Sequence, residues 1–312
     1  MRLRVEILAP GFVIEPWTGK AARFERATFR DTAGWEVAGF RAELSAQSRS
    51  HSGDRTYDRA VVVAQALLDL TLRWPLAEPQ VRLFVDERAV RRSRDISRLQ
   101  HYEIGAILGG GPNLPRTQFT ISSDIPPRIE LLWSCAMAQT VRALDRLLGP
   151  LSQASAAAAA RHPFDRVTGL WAALELLHAT ARSDLARIDR MATLDPASAD
   201  AEVARAGPAL QRLLAFRRQL ARDPWIHESI RRRLEPTPRT GADRVVVATV
   251  LAYAVRSKIV HGQWARYRDD RRLEAGAAEK WLWQLLEREV ELRLVGRRLD
   301  ARVPDGAVRI NT

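Results

Sequence analysis

Asp243-Arg-Val-Val-Val-Ala-Thr-Val-Leu-Ala-Tyr253-Ala-Val-Arg256-Ser257-Lys258-Ile-Val-His261-Gly262 is the stretch on which the second half of the chain turns. Three successive valines, Val245, Val246 and Val247, fit a strand. The apolar run is too long for one, so the stretch predicts a helix to His261. Asp243 is placed to cap its start, and Gly262 to close its end. The segments around it carry the same period. Residues 164–187 put Leu170, Leu174 and Leu177 on one face, with Val167 and Trp171 nearby. Residues 201–222 repeat this with Leu210, Leu213, Leu214 and Phe216, and Pro208 is a candidate first-turn residue. A short helix at 226–234 precedes a break at Pro236 and Pro238. A last amphipathic helix is predicted over 274–294. Four or five helices with short connections predict an all-α bundle.

The first half reads differently. Residues 2–7 alternate, with Leu3, Val5 and Ile7 on one face. Residues 21–29, 35–44, 81–85 and 119–122 are further strand candidates. Helices are predicted over 61–72, with Asp58 near its start, and over 129–148. Trp74-Pro75 stops the first of these. Gly109-Gly110-Gly111-Pro112 is a loop. It lacks the Lys-Ser/Thr that a phosphate loop needs at the head of the next helix. The expected organisation is an α+β domain at 1–150, an Ala-rich connector at 151–163, a helical domain at 164–298 and a tail at 299–312.

Composition narrows the function classes. The chain has 312 residues, enough for two domains. Its formal net charge of +12 would attract polyanions. Only Lys20, Lys258 and Lys280 are lysines among 49 basic residues, and a GC-rich genome would also favour such arginine bias. The lone Cys135 excludes an internal disulfide and is expected to be a buried, inert thiol. The six histidines are scattered, without a His-x3-His pair, so no metal site is expected. No window reaches about 18 apolar residues, and Glu6 and Pro10 interrupt any leader-like core. A cytoplasmic protein with no membrane partner is expected. The runs Arg231-Arg232-Arg233 and 269–272 read as solvated faces.

Arg256, Lys258 and His261 enter an otherwise apolar helix near its end. Such groups are costly to bury unpaired. A histidine before a closing glycine is also a common helix ending, favoured by the helix dipole. The chemical alternative is phosphodiester cleavage. A guanidinium matches phosphate oxygens and stays charged. An imidazole moves protons near neutral pH. Ser257 lies four residues before His261, where its hydroxyl would face the imidazole. Trp264 and Tyr267, interleaved with Arg266 and Arg268, fit either base stacking with phosphate contacts or a packed connector.

Arg256-Ser-Lys-Ile-Val-His261-Gly262, with Tyr253, resembles the Arg-x4–6-His motif of HEPN domains, in the branch called Apea-like. Gly169-Leu-Trp171-Ala-Ala-Leu174-Glu175 is similar to that branch's early helix, which carries a Leu-Glu pair after an aromatic residue. The resemblance covers about the last 140 residues. It implies an all-α HEPN-like bundle, often dimeric, and a metal-independent endoribonuclease without cofactor, frequently in toxin or antiphage defence systems. On that basis Arg256 and His261 form the catalytic pair, supported by Ser257, Glu175, Lys258 and Tyr253. Trp264, Arg266, Tyr267 and Arg268 would hold RNA. Glu175 either orients a catalytic group or pairs structurally with Arg256. Ser257 replaces the Asn, Asp or His that many nuclease members place after the arginine. A non-catalytic RNA- or nucleotide-binding module and a protein-interaction component remain alternatives. The expected partners are RNA and a second copy of the chain, with a regulatory protein open and the first domain a candidate recognition module.

Overall fold

In a computed structural model of the chain, the described residues are 2–10, 12–30, 36–47, 54–72, 80–85, 88–89, 118–160, 162–264, 271–296 and 308–311. The chain divides into two compact units. One comprises Met1–Ala159 with Arg293–Thr312, the other Ala160–Leu292.

The first unit is built on sheets. Strands β1 (Arg2–Pro10), β3 (Trp17–Thr18), β4 (Ala22–Arg30), β5 (Glu36–Gln47), β6 (Gln80–Val85) and β7 (Arg88–Ala89) form an antiparallel sheet in the order β3-β4-β5-β1-β6-β7. β1 lies inside the sheet, with Val5 opposite Leu44 on one side and Leu83 on the other. Its Leu3, Val5 and Ile7 are buried, as the alternation predicts. A smaller sheet joins β2 (Phe12–Ile14), β8 (Gln118–Ile121) and β9 (Val308–Asn311). The tail therefore ends in a strand antiparallel to β8.

Helix α1 (Asp54–Leu72) begins before Asp58, and its residues from Ala60 to Thr71 are almost all buried. The single helix expected over 129–148 is two: α2 (Ile125–Ala138) and α3 (Val141–Ala159). Gln139 is extended, and the Thr140 hydroxyl accepts from the Ala143 N–H at 3.3 Å, which starts a new helix. α3 continues through Pro150 and the alanine run. Cys135 is half-buried rather than buried, at the edge of the α2 face that buries Leu132, Trp133 and Ala136. Trp74-Pro75 and the Gly109–Pro112 loop lie outside the described residues.

The second unit is helical: α4 (Pro163–Leu177), α5 (Asp184–Ala192), α6 (Pro196–Ala215), α7 (Arg217–Ala221), α8 (Glu228–Leu234), α9 (Gly241–Val260) and α10 (Arg272–Val295). The helix expected from residue 201 starts at Pro196, because the Asp195 carboxylate accepts from the Ser198 N–H. Gly207 then leaves helical geometry at φ 47°, so Pro208 opens the second half of a kinked helix.

α9 is the hub of the bundle and packs against α4, α5, α6, α7 and α8. Surrounded this way, it has no narrow apolar stripe; Val245, Val247 and 250–252 are all buried. Its N-cap is Thr240 rather than Asp243. Asp243 is the third helical residue, and its carboxylate reaches back to the Thr240 N–H at 3.0 Å. α10 departs further from expectation. Every residue from 281 to 291 is buried, charged ones included, so its middle turns are buried all round rather than amphipathic. Its polar groups are tied down: Arg166 pairs with Glu279 at 2.7 Å, Gln284 donates to Glu202, and His178 meets Glu289 at 3.0 Å. No helix among the described residues is long and apolar enough to cross a membrane.

Candidate functional site at the end of the hub helix

The last turns of α9 present three different environments. Arg256 faces α4 and α5. Its Nη2 lies 3.7 Å from Oε1 of Glu175, near the end of α4. The same oxygen accepts a 2.9 Å hydrogen bond from the Trp171 indole and lies 3.8 Å from Arg187 Nη1. Arg187, on α5, also pairs with Asp184. Asp184 in turn accepts the Tyr253 hydroxyl at 2.9 Å, and the Tyr253 ring lies 5.1 Å from that of Trp171. Two guanidiniums and two carboxylates therefore balance across three helices. The Arg256–Glu175 contact is an ion pair too long for a hydrogen bond. Arg256 Nε and Arg187 Nε are buried without a hydrogen-bond partner among the described residues, so both guanidiniums retain donor capacity there. Burial first, then the hydrogen bond to Asp184, pushes the Tyr253 phenol up to about 12.

His261 is the C-cap. Gly262 follows at φ 67°, a left-handed backbone. The Gln263 N–H donates to the Lys258 carbonyl at 3.0 Å and the Gly262 N–H to Ile259 at 3.1 Å, which closes the helix in a Schellman motif. The imidazole is exposed and has no hydrogen-bond partner among the described residues, the Ser257 hydroxyl included. Five helical positions separate it from Arg256, about 140° around the axis. Within one chain the two side chains diverge.

Lys258 is the third environment. Its side chain is 3% exposed, and its Nζ pairs with Asp223, just after α7. It is a tether rather than a free cation. Trp264 is half-buried, its ring 6.2 Å from that of Phe164, with the Arg271 guanidinium 5.7 Å from its centroid. That is the packed-connector arrangement. Arg266, Tyr267 and Arg268 lie outside the described residues.

Sequence reasoning missed Asp184, Arg187 and Asp223. Ser183 before Asp184 carried a signal, since Ser183 caps α5 and puts Asp184 and Arg187 on its first turn. Asp223-Pro224 carried an ordinary turn signal and nothing that names Lys258 as partner. Among the described residues no group of three or more His, Cys, Asp or Glu could hold a metal ion. Set against family models, curated proteins and solved structures, the chain has no match.

Proposed function

We propose that the helical unit is a HEPN-type, metal-independent endoribonuclease. One observation carries this. The two segments that resemble the family's motifs lie on different helices, and Glu175 from the first stands 3.7 Å from Arg256 of the second. An exposed imidazole, without a hydrogen-bond partner among the described residues, closes the same helix.

In this mechanism the His261 imidazole takes the proton from a ribose 2′-OH. The 2′-oxygen forms a bond to the adjacent phosphorus. The bond from phosphorus to the 5′-oxygen breaks, and that oxygen leaves with a proton from an imidazolium. The products are a 2′,3′-cyclic phosphate and a 5′-OH. Arg256 holds the phosphate oxygens as charge builds on them. Glu175 aims the guanidinium, and the Tyr253–Asp184 hydrogen bond fixes α9, which carries the pair, against α5. Because Arg256 and His261 diverge around α9, a complete set is assembled by two copies of the chain, each facing the other's motif. A toxin or defence effector under the control of a regulatory protein is the setting that accords with such chemistry.

The test is cleavage of end-labelled total RNA in EDTA by wild type and His261→Ala, prepared identically. Cutting by wild type alone, with cyclic-phosphate ends, is the expected result. Equal cutting by both would sink the assignment of His261. One observation favours a second reading, an RNA-binding module without catalysis: Arg256 is already engaged by Glu175. That reading expects salt-sensitive RNA binding by both proteins and cutting by neither.

A further inference from the structure

Trp225 is 76% exposed, the most exposed large apolar side chain among the described residues. Single exposed apolar residues are ordinary. This one differs in how its loop, 222–227 between α7 and α8, is built. Oδ1 of Asp223 accepts the Trp225 N–H at 2.9 Å. Oδ2 of the same carboxylate pairs with the buried Lys258 of α9. Pro224 fixes one backbone angle between them. On the other side Ile226 is buried, and its N–H donates to the Asp223 carbonyl at 3.2 Å. The backbone on both sides of Trp225 is held, and the indole stands outward from a braced loop.

The charges around it are also uneven. Of the arginines that follow, Arg231 and Arg232 pair with Glu228, and Arg233 pairs with Asp189. Arg218 and Arg222, which precede the loop, are exposed and have no carboxylate partner among the described residues. Four positions apart, they lie on one side of the α7 turn. Two exposed guanidiniums three and seven residues before a projecting indole, without a carboxylate partner among the described residues, match what an unpaired strand requires: cations for phosphates and a flat face for a base. Duplex RNA offers no free base to that face.

The loop also has a fixed relation to the proposed chemistry. Lys258 and His261 are three positions apart, about 60° around the axis, and so share a face of the last turn. The Asp223–Lys258 pair therefore fastens the Trp225 loop to the side of α9 on which the imidazole emerges.

We propose that Trp225 is a stacking platform for a base of single-stranded RNA, with Arg218 and Arg222 as phosphate contacts, beside the His261 end of α9. The platform rests on the ribonuclease assignment for its ligand but not for any step of the chemistry. It makes Lys258 a positioning residue that acts through Asp223.

The experiment uses the full chain with His261→Ala to prevent cutting. The probes are a short labelled oligouridine and an RNA duplex of equal length, each titrated at several salt concentrations. Trp225→Ala should weaken the single strand about fivefold to a hundredfold and leave the duplex unchanged. Trp225→Phe should keep most of the affinity. Replacing Arg218 and Arg222 together by alanine should reduce the salt slope by about 0.7 for each. An unchanged melting temperature in Trp225→Ala, expected from its exposure, shows that the fold is intact. Normal single-strand binding by Trp225→Ala overturns the platform while leaving the ribonuclease standing. So does an equal loss in Trp225→Phe and Trp225→Ala, which would mean that the ring does not stack. No single-strand binding by the parent protein overturns both.

Discussion

Arg256 and Lys258 stand two residues apart, yet they belong to different regions of the molecule. Two helical positions turn about 160° to opposite sides. On one side, Arg256 is 23% exposed and reaches Glu175 only at 3.7 Å, within a loose network that leaves its Nε free. On the other, Lys258 is 3% exposed and held close by Asp223. Adjacent cations on a helix are thus not a cationic cluster. The open side has donors left for a ligand. The closed side holds a loop in place.

The sharpest way to break this contrast is through activity. On the proposed ribonuclease reading, His261→Ala and Arg256→Ala should each lower RNA cleavage by about a hundredfold to ten-thousandfold. Lys258→Met should leave kcat within a few-fold, because its charge meets Asp223 rather than the scissile phosphate. Saturation kinetics on one labelled RNA separates the cases. A kcat loss in a folded Lys258→Met protein equal to that of His261→Ala would erase the distinction between tether and site.

Stability inverts the ranking. Asp223→Ala leaves the Lys258 ammonium buried without its partner. It should cost about 3 kcal/mol, the low end for a broken buried pair, since Asp223 keeps a quarter of its side chain exposed. Glu175→Gln keeps an acceptor for the Trp171 indole and loses only long, half-exposed ion pairs. It should cost at most about 1 kcal/mol. Urea unfolding of the two variants measures the difference directly, and equal losses would mean that the network around Glu175 is as closed as the tether. Gly262→Ala falls between them, at about 1–2 kcal/mol. No atom of the described residues beyond its chain neighbours lies within 4 Å of the added Cβ, so the effect is that of the left-handed backbone at φ 67°.

Much of the hub helix was legible because local chemistry decides it. A glycine just past the last apolar residues and a long Val/Ala-rich run need no tertiary information, although the cap was read at Asp243 and lies at Thr240. Leu3, Val5 and Ile7 of β1 were likewise read as core from their spacing, and they are buried, but so are Glu6 and Leu8. What stayed hidden depends on neighbours distant in sequence. Lys258 read as a site residue because Asp223 lies 35 positions away, and no local rule pairs them. α10 read as amphipathic from Trp281, Leu282, Leu285, Leu286 and Val290, yet Glu287, Arg288, Glu289 and Glu291 are buried as well. His178 pairs with Glu289 and the Met191 carbonyl accepts from Arg288, partners that no local rule supplies. Glu175 and Arg256 were each named from the sequence. The pairing of Asp184 with Tyr253 was not, since an N-terminal acidic residue on a short helix is ordinary capping chemistry.

That hidden pairing gives a small effect and a distinctive one. The Tyr253 phenol is shielded and donates to Asp184, so it keeps its proton up to about 12 in the folded chain, against 10.0 for an ordinary tyrosine. Above pH 10 the unfolded chain sheds this proton first, and ionisation then favours unfolding. The stabilisation from the neutral phenol is fully present below about pH 10 and fades as the pH rises through about 12. Tyr253→Phe removes the hydrogen bond, at about 1 kcal/mol near neutral pH for a partly exposed site. The gap in unfolding free energy between wild type and Tyr253→Phe should therefore be flat from pH 7 to 9 and narrow steadily above 10. Other groups titrate there too, but they are common to both proteins and drop out of the difference. Absorbance titration of the four tyrosines should lose its latest step in the variant. A gap that stays constant to pH 11 would mean that Tyr253 ionises freely, and that the wall between α5 and α9 on the Arg256 side is open to water.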